Sequence, residues 1–349
     1  MNIVQFIGSK KLGGAENFFI RLTNSLSSLS DCSALIAKGS EIKHHLNCSY
    51  SESLILGPSD PLSKFNVKQK LVSESPQIVQ SWMGRATRLV PKKRSFVHIA
   101  RLGGYYDVSH YRSADYLVGN TQGICDYLVK EGVSSKKVHH ISNFVKPVEL
   151  DKAAARLSVR NELGLHQDTQ IIFSLGRLHP NKGFDCLLRA FSKTLTTARS
   201  NNAKLIIAGD GPLKTELSVL AEELSIANDV IWLGWRQDVP DLMAASDLFI
   251  CPSRFEPLGN VILEAWSQKL PVITSMTSGA LELAEDGSSA IFFPIDDDTV
   301  LSESIRDWLI SPSGKYGDLS LNGYSELLNK FSESAITDSY MELYKKASN

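Results

Sequence analysis

Apolar residues in this chain fall in short runs, separated by longer stretches in which they recur every three or four positions. The runs at 2–8, 34–37, 54–56, 78–82, 96–100, 116–118 and 138–141 predict strands. Between the first two, Phe18, Phe19, Leu22 and Leu26 share one side of a helix reaching Leu29, and 64–73 and 122–131 read as further helices. The alternation resumes with strands at 171–177, 205–208, 230–233, 248–251, from Val272, and at 290–293. Strands alternating with helices imply mostly parallel sheets joined by right-handed crossovers. Residues 146–155 lose the strand pattern and read as a linker, so the chain divides into two α/β domains, over 1–148 and 149–330.

The densest candidate chemistry lies at 249–274. A buried strand is followed by a loop carrying Glu256, a helix from about Gly259, and another strand at Val272. Glu256 stands past the carboxyl end of its strand, where open α/β sheets bind ligands. Glu264 lies five residues into the helix, roughly 7 to 8 Å further along at 1.5 Å per residue. Between the two carboxylates, the N–H groups of Gly259 and Asn260 and the helix dipole suit an anion. A nucleotide sugar has that order of groups: sugar hydroxyls, a diphosphate, then ribose hydroxyls. Other strand ends carry Gly13-Gly14, Gly209, and the pair Arg177 and Lys182. Two cations aimed at a departing diphosphate stabilise the charge that builds as its bond to the sugar breaks.

Several motifs agree on a family. Glu256 and Glu264 have the Glu-x7-Glu spacing, with Cys-Pro-Ser before and Leu-Pro-Val-Ile after. Gly13-Gly14-Ala15-Glu16 follows the first strand, and residues 176–183 read Gly-Arg-Leu-x-x-x-Lys-Gly. The chain resembles the family 4 retaining glycosyltransferases of the GT-B fold over most of its length. The resemblance implies two Rossmann-like domains with parallel sheets facing a cleft. Residues 1–148 would form the acceptor side, 149–330 would bind the nucleotide sugar, and 331–349 would form a helix crossing back to the first domain. It implies that Glu256 meets the donor sugar, Glu264 the ribose, and Arg177 and Lys182 the diphosphate. Glu256, Arg177 and Lys182 are then catalytic, with Gly259, Asn260, Gly13, Gly14 and Gly209 around the donor. The family often has a histidine near the donor sugar at the end of the fourth or fifth strand. His98 within the run 95–100 and Arg101 at its end are rivals for that place. There are two departures: Pro257 stands where Gly is frequent and has no N–H to offer a phosphate, and Ser278-Gly279 replaces a Gly pair. Arg-Leu-Gly-Gly-Tyr-Tyr, Gly-Asn-Thr, Ser-Asn-Phe-Val and Glu-Pro-Leu-Gly-Asn-Val narrow the likeness to lipopolysaccharide or surface-glycan enzymes of bacteria. The implied partners are a nucleotide-sugar donor and a glycan or lipid-linked acceptor, phosphorylated forms included.

Composition adds limits. The 349 residues, 43% of them apolar, suit two soluble domains rather than one core. No run is long enough to span a bilayer, and the first residues begin a strand without a signal peptide. Five scattered cysteines form no Cys-x-x-Cys pair, so neither zinc nor disulfides are indicated, and a cytoplasmic protein is expected. With no Asp-x-Asp at a strand end, neither a metal nor another cofactor is expected; Asp296-Asp297-Asp298 reads as the acidic start of a helix. No Gly-x-Gly-x-x-Gly follows either domain's first strand, which disfavours a dehydrogenase. A nucleotide-sugar epimerase of the same fold and a catalytically silent binding subunit are the alternatives; the retained Glu256, Arg177 and Lys182 argue against the second. The net charge of −1 hides 19 Lys and Arg against 11 Asp and Glu in residues 1–150, and 18 against 27 in the rest. Either the halves attract one another, or the basic half, with Lys92, Lys93 and Arg94, meets an anionic acceptor or the inner face of an anionic membrane. No nucleic-acid partner is expected.

Overall fold

The computed structural model describes residues 1–198 and 202–348. The described residues divide into two compact units, Met1–Phe144 with Ser332–Asn349, and Val145–Phe331.

The first unit is built on seven parallel strands, β1 (Asn2–Ile7), β2 (Asp31–Ala37), β3 (Tyr50–Ser53), β4 (Ile78–Trp82), β5 (Val97–Leu102), β6 (Tyr116–Gly119) and β7 (Val138–His140), in the order β3-β2-β1-β4-β5-β6-β7. Helices α1 (Gly14–Ser27), α2 (Pro61–Glu74), α3 (Met83–Thr87) and α4 (Gln122–Lys130) connect them. The second unit opens with α5 (Lys152–Glu162). Its six parallel strands are β8 (Gln170–Leu175), β9 (Ala203–Ala208), β10 (Val230–Gly234), β11 (Leu248–Cys251), β12 (Val272–Ser275) and β13 (Ile291–Phe293), in the order β10-β9-β8-β11-β12-β13. Its other helices are α6 (Phe184–Ala198), α7 (Lys214–Glu223), α8 (Val239–Ala245), α9 (Asn260–Ser267), α10 (Ser278–Leu283), α11 (Asp298–Ile310) and α12 (Lys315–Lys330); α13 (Glu333–Ser348) belongs to the first unit.

Both sheets reverse direction beside their first strand, between β1 and β4 and between β8 and β11. Ligands of open α/β sheets bind outside the carboxyl ends of the strands at such a switch point. In the second unit, the loops on either side of it are the ones carrying Arg177 and Lys182, and Glu256.

The sequence places three features differently. The third strand is Tyr50–Ser53, just before the apolar run at 54–56. It pairs only with β2 and is half-solvated, so its residues need not be apolar. Leu54 and Leu56 instead lie exposed beyond it. Helix α5 begins inside the expected linker because Asp151 caps it, accepting from the amides of Ala153 and Ala154. Arg101 is inside β5 rather than past its end.

Helix α13 docks on the first sheet through a buried polar chain. Gln5 Nε2 donates to the Tyr344 hydroxyl (2.9 Å), which donates to Gln80 Oε1 (2.7 Å), and Trp82 Nε1 donates to Gln5 Oε1 (2.8 Å). Two glutamines in central strands would be costly without partners, and the last helix supplies one for both.

Candidate active site

The site starts from two loops of the second unit. After β8 the chain passes Gly176 and the exposed Arg177, then makes a short turn over Pro180–Lys182, where the His179 side chain accepts from the Asn181 amide. Gly183 closes the turn with φ +62°, and a Cβ there would fall on the Pro252 carbonyl of the other loop. Glycine is required twice over, for the left-handed backbone and for the contact. After β11 the chain runs through Pro252 to Gly259, the left-handed residue before α9 (φ 93°). Gly279 packs against the underside of this loop and donates its amide to the Glu256 carbonyl (3.1 Å). The Gly of the Ser-Gly pair is thus the member the packing needs.

The two loops bring the side chains of Lys182 and Glu256 into a direct ion pair through Glu256 Oε2, with 24% and 15% of the side-chain surfaces exposed. Burial is the largest single influence and works to lower the Lys182 pKa, but the Glu256 charge, the nearby Cys251 and the hydrogen bond to Glu256 together outweigh it, and the ammonium is held above its usual value. Arg177, on the same loop, makes no hydrogen bond or ion pair with another described residue. Asn260 and Glu264 are the first and fifth residues of α9, both half-buried. Because its capping position is a glycine, α9 has no side-chain cap at its first turn.

Gly209 enters differently from expectation. Its backbone (φ +136°) lies against Gly176, where a Cβ would collide with the carbonyl, and its N–H is donated to the Gly234 carbonyl (2.7 Å). It therefore packs the Arg177 loop and offers no amide to a ligand.

The other predicted residues lie in the first unit. Gly13 precedes α1 in an extended conformation, with the Glu16 carboxylate folded back against it, while Gly14 has open space where a side chain would stand. His98 is fully buried in β5, with Nε2 bonded to the Ser81 hydroxyl (2.8 Å). Burial, reinforced by the Arg94 charge, lowers its pKa to about 3. His98 is thus enclosed within the sheet and held by Ser81, rather than presented at a strand end where the resemblance would put a donor-sugar histidine. Arg101 is also buried, bonded to Asn143 and set over the rings of Phe18 and Trp82 at 4.9 and 4.6 Å. Neither rival is at a surface. A strand's apolar run does not reveal which of its polar members are enclosed.

The acidic run is fully engaged: Asp296 pairs with Arg254, Asp297 caps α11, and Asp298 pairs with Arg189 and Lys193. Among the described residues no group of three or more His, Cys, Asp or Glu side chains is placed to hold a metal ion. Sequence reasoning also missed Arg254, which binds Asp185 from 69 positions away, a separation no local pattern reveals.

Two α/β units, each built on a doubly wound parallel sheet, are the architecture of the GT-B fold. The chain belongs to the family described as glycosyl transferases group 1, which matches residues 156–333. It is 31% identical over 342 residues to the lipopolysaccharide core biosynthesis glycosyltransferase LpsE of Rhizobium meliloti (strain 1021), covering 95% of this chain and 96% of that protein. Among solved structures it is similar to Anabaena HepE in complex with UDP-glucose, with a TM-score of 0.84 and 22% identity, covering 99% of this chain and 100% of that one. It is also similar to WaaG, a glycosyltransferase involved in lipopolysaccharide biosynthesis, with a TM-score of 0.74 and 17% identity, covering 98% and 99% of the two chains. The protein is a glycosyltransferase homologous to lipopolysaccharide core enzymes, and the epimerase alternative is not favoured.

Proposed function

We propose that this enzyme transfers a sugar, with retention of configuration and without a metal, from a nucleotide-sugar donor to a growing lipopolysaccharide or surface glycan. The Lys182–Glu256 pair carries the reading. A donor diphosphate arriving at the loop replaces Glu256 as the partner of Lys182, and the freed carboxylate meets the sugar. Arg177, exposed and unpaired with any described residue, adds a second cation. Glu264 meets the ribose, and the uncapped first turn at Gly259 and Asn260 faces phosphate. The acceptor hydroxyl attacks on the face from which the diphosphate leaves, and the diphosphate takes its proton, so no protein base is assigned. UDP is the nucleotide of first choice because HepE was solved with UDP-glucose. A melting screen with UDP, GDP, ADP and CMP tests the reading: one of them at about 100 times its dissociation constant should add about 2.7 kcal/mol of stability. No shift with any of the four would contradict it.

The membrane part of the reading concerns the first unit, on the cytoplasmic face of an anionic bilayer. No helix among the described residues is long and apolar enough to cross one, so contact would be peripheral. Helix α2 exposes Leu62, Phe65 and Val72 beside Lys64, Lys68 and Lys70, and Lys68 and Val72 line one shallow pocket with Lys93. Arg94 leaves the basic group of the sequence reading, because its guanidinium is bound to Asp115 (2.7 Å) and the Ser113 carbonyl (2.9 Å). Sedimentation with anionic vesicles should exceed that with neutral ones, and Lys68→Glu with Lys93→Glu should weaken it by about 1 kcal/mol per charge removed. Equal binding to both vesicle types would leave the positive half to attraction within the chain.

A further inference from the structure

Arg254 lies two positions before Glu256, and Pro180 lies two positions before Lys182. Arg254 ties these two points together. Its Nη1 donates to the Pro180 carbonyl (2.7 Å) and to Asp185 Oδ1 (2.8 Å), its Nη2 to Asp185 Oδ2 (2.8 Å), and its Nε to Asp296 Oδ2 (2.9 Å). The backbone follows the side chain, since the amides of Arg254 and Phe255 both donate to the Asn181 carbonyl (2.8 and 3.2 Å). The forked guanidinium–carboxylate geometry with Asp185 is the strong, directional kind of ion pair. Asp185 is itself held by Arg189 on the next turn of α6 (2.8 Å). Asp296 reaches Arg254 from a left-handed backbone (φ 63°), a conformation few side-chain-bearing residues adopt. One guanidinium thus fixes the Glu256 loop to the Lys182 turn, to α6 and to the loop before α11.

We propose that Arg254 is a positioning residue: it holds the Glu256 and Lys182 loops in the relative placement that the transfer requires. The proposal rests on the roles given above to Glu256 and Lys182. The attraction between those two side chains pulls them together but does not fix where the pair stands over the sheet; the Arg254 clamp does. Lysine cannot replace it fully, because a single ammonium has no planar fork to span Asp185, Asp296 and the Pro180 carbonyl at once.

The test uses the full chain with UDP-glucose as the donor probe. Arg254→Ala should lower kcat about 10- to 100-fold, the scale of a misplacement near 1 Å, and change the donor KM less than about threefold. Arg254→Lys should recover part of the loss. Asp296→Asn, which keeps the Asp185 fork and tolerates the left-handed backbone, should fall between and serves if Arg254→Ala does not fold. Asp298→Asn cuts the same charge network at its far end, at Arg189 and Lys193; it should lower the melting temperature and leave kcat unchanged. Hydrogen exchange without ligand reads the clamp itself. The amides of residues 254 and 255 should exchange at least about tenfold faster in Arg254→Ala, and at the wild-type rate in Asp298→Asn. A folded Arg254→Ala with wild-type kcat overturns the proposal, as does unchanged exchange at these amides or an equal kcat loss in Asp298→Asn. Glu256→Gln run alongside separates the two levels: if it too turns over normally, the role of Glu256 fails, whereas if it alone is impaired, only the positioning role does. The exchange measurement decides even if UDP-glucose is not turned over.

Discussion

Replacing Glu256 by glutamine is expected to cut turnover by a factor of about 100 or more while the second unit stays folded. Glutamine keeps the size of the side chain and one acceptor oxygen, but replaces the other with a donor NH2 and removes the charge. That charge meets the Lys182 ammonium directly in the unliganded protein, so its loss leaves the lysine without its counter-charge. A diphosphate then competes with nothing for Lys182, and nucleotide affinity should hold or rise as turnover collapses. The opposite movement of the two quantities distinguishes loss of chemistry from damage to the fold, which would lower both. A variant with near wild-type turnover would take Glu256 out of the site.

The second large effect belongs to the cations. Lys182→Ala and Arg177→Ala should each lose about 10² to 10³ in turnover, the scale for removing one preorganised charge-stabilising donor. Lys182→Ala should be the more damaging, for a reason visible only in the structure. It strands the largely buried Glu256 carboxylate without a counter-charge and faces the diphosphate with that negative charge. Arg177 is exposed, and its removal strands nothing. The double variant should lose less than the two effects combined, because both cations act on one diphosphate. Arg177→Lys should recover only part, lacking the fork for two phosphate oxygens. Activity should survive EDTA; if EDTA abolishes transfer and magnesium restores it, the two cations are not what holds the leaving group.

The buried strands were the most legible part of the chain. Leu248–Cys251 is bounded in the structure where its apolar run begins and ends, because a strand covered on both faces has little room for polar residues. The position of the site loops followed from the same pattern, since loops at strand ends are where it breaks. Two things were not legible. One is the fate of polar residues inside strands: His98 and Arg101 look like candidates for chemistry, yet both are enclosed, as are Gln5 and Gln80. Gln5 is answered by Tyr344, 339 positions away. The other is pairing across loops. The motifs mark Lys182 and Glu256 each as catalytic, but their contact, and the Arg254 clamp behind it, depend on which strands lie side by side. Strand order does not show in a periodicity.

In the proposed function the nucleotide sugar is held at the carboxyl ends of β8 and β11, by the Lys182 turn and the start of α9. A hydrogen-exchange footprint tests it most directly, comparing the free protein with the protein saturated by the nucleotide that the melting screen selects. The amides of residues 176–183 and 256–264 should become protected, and Lys182→Ala should erase that protection at the same ligand concentration. Protection confined to other segments, or unaltered by Lys182→Ala, would contradict the account.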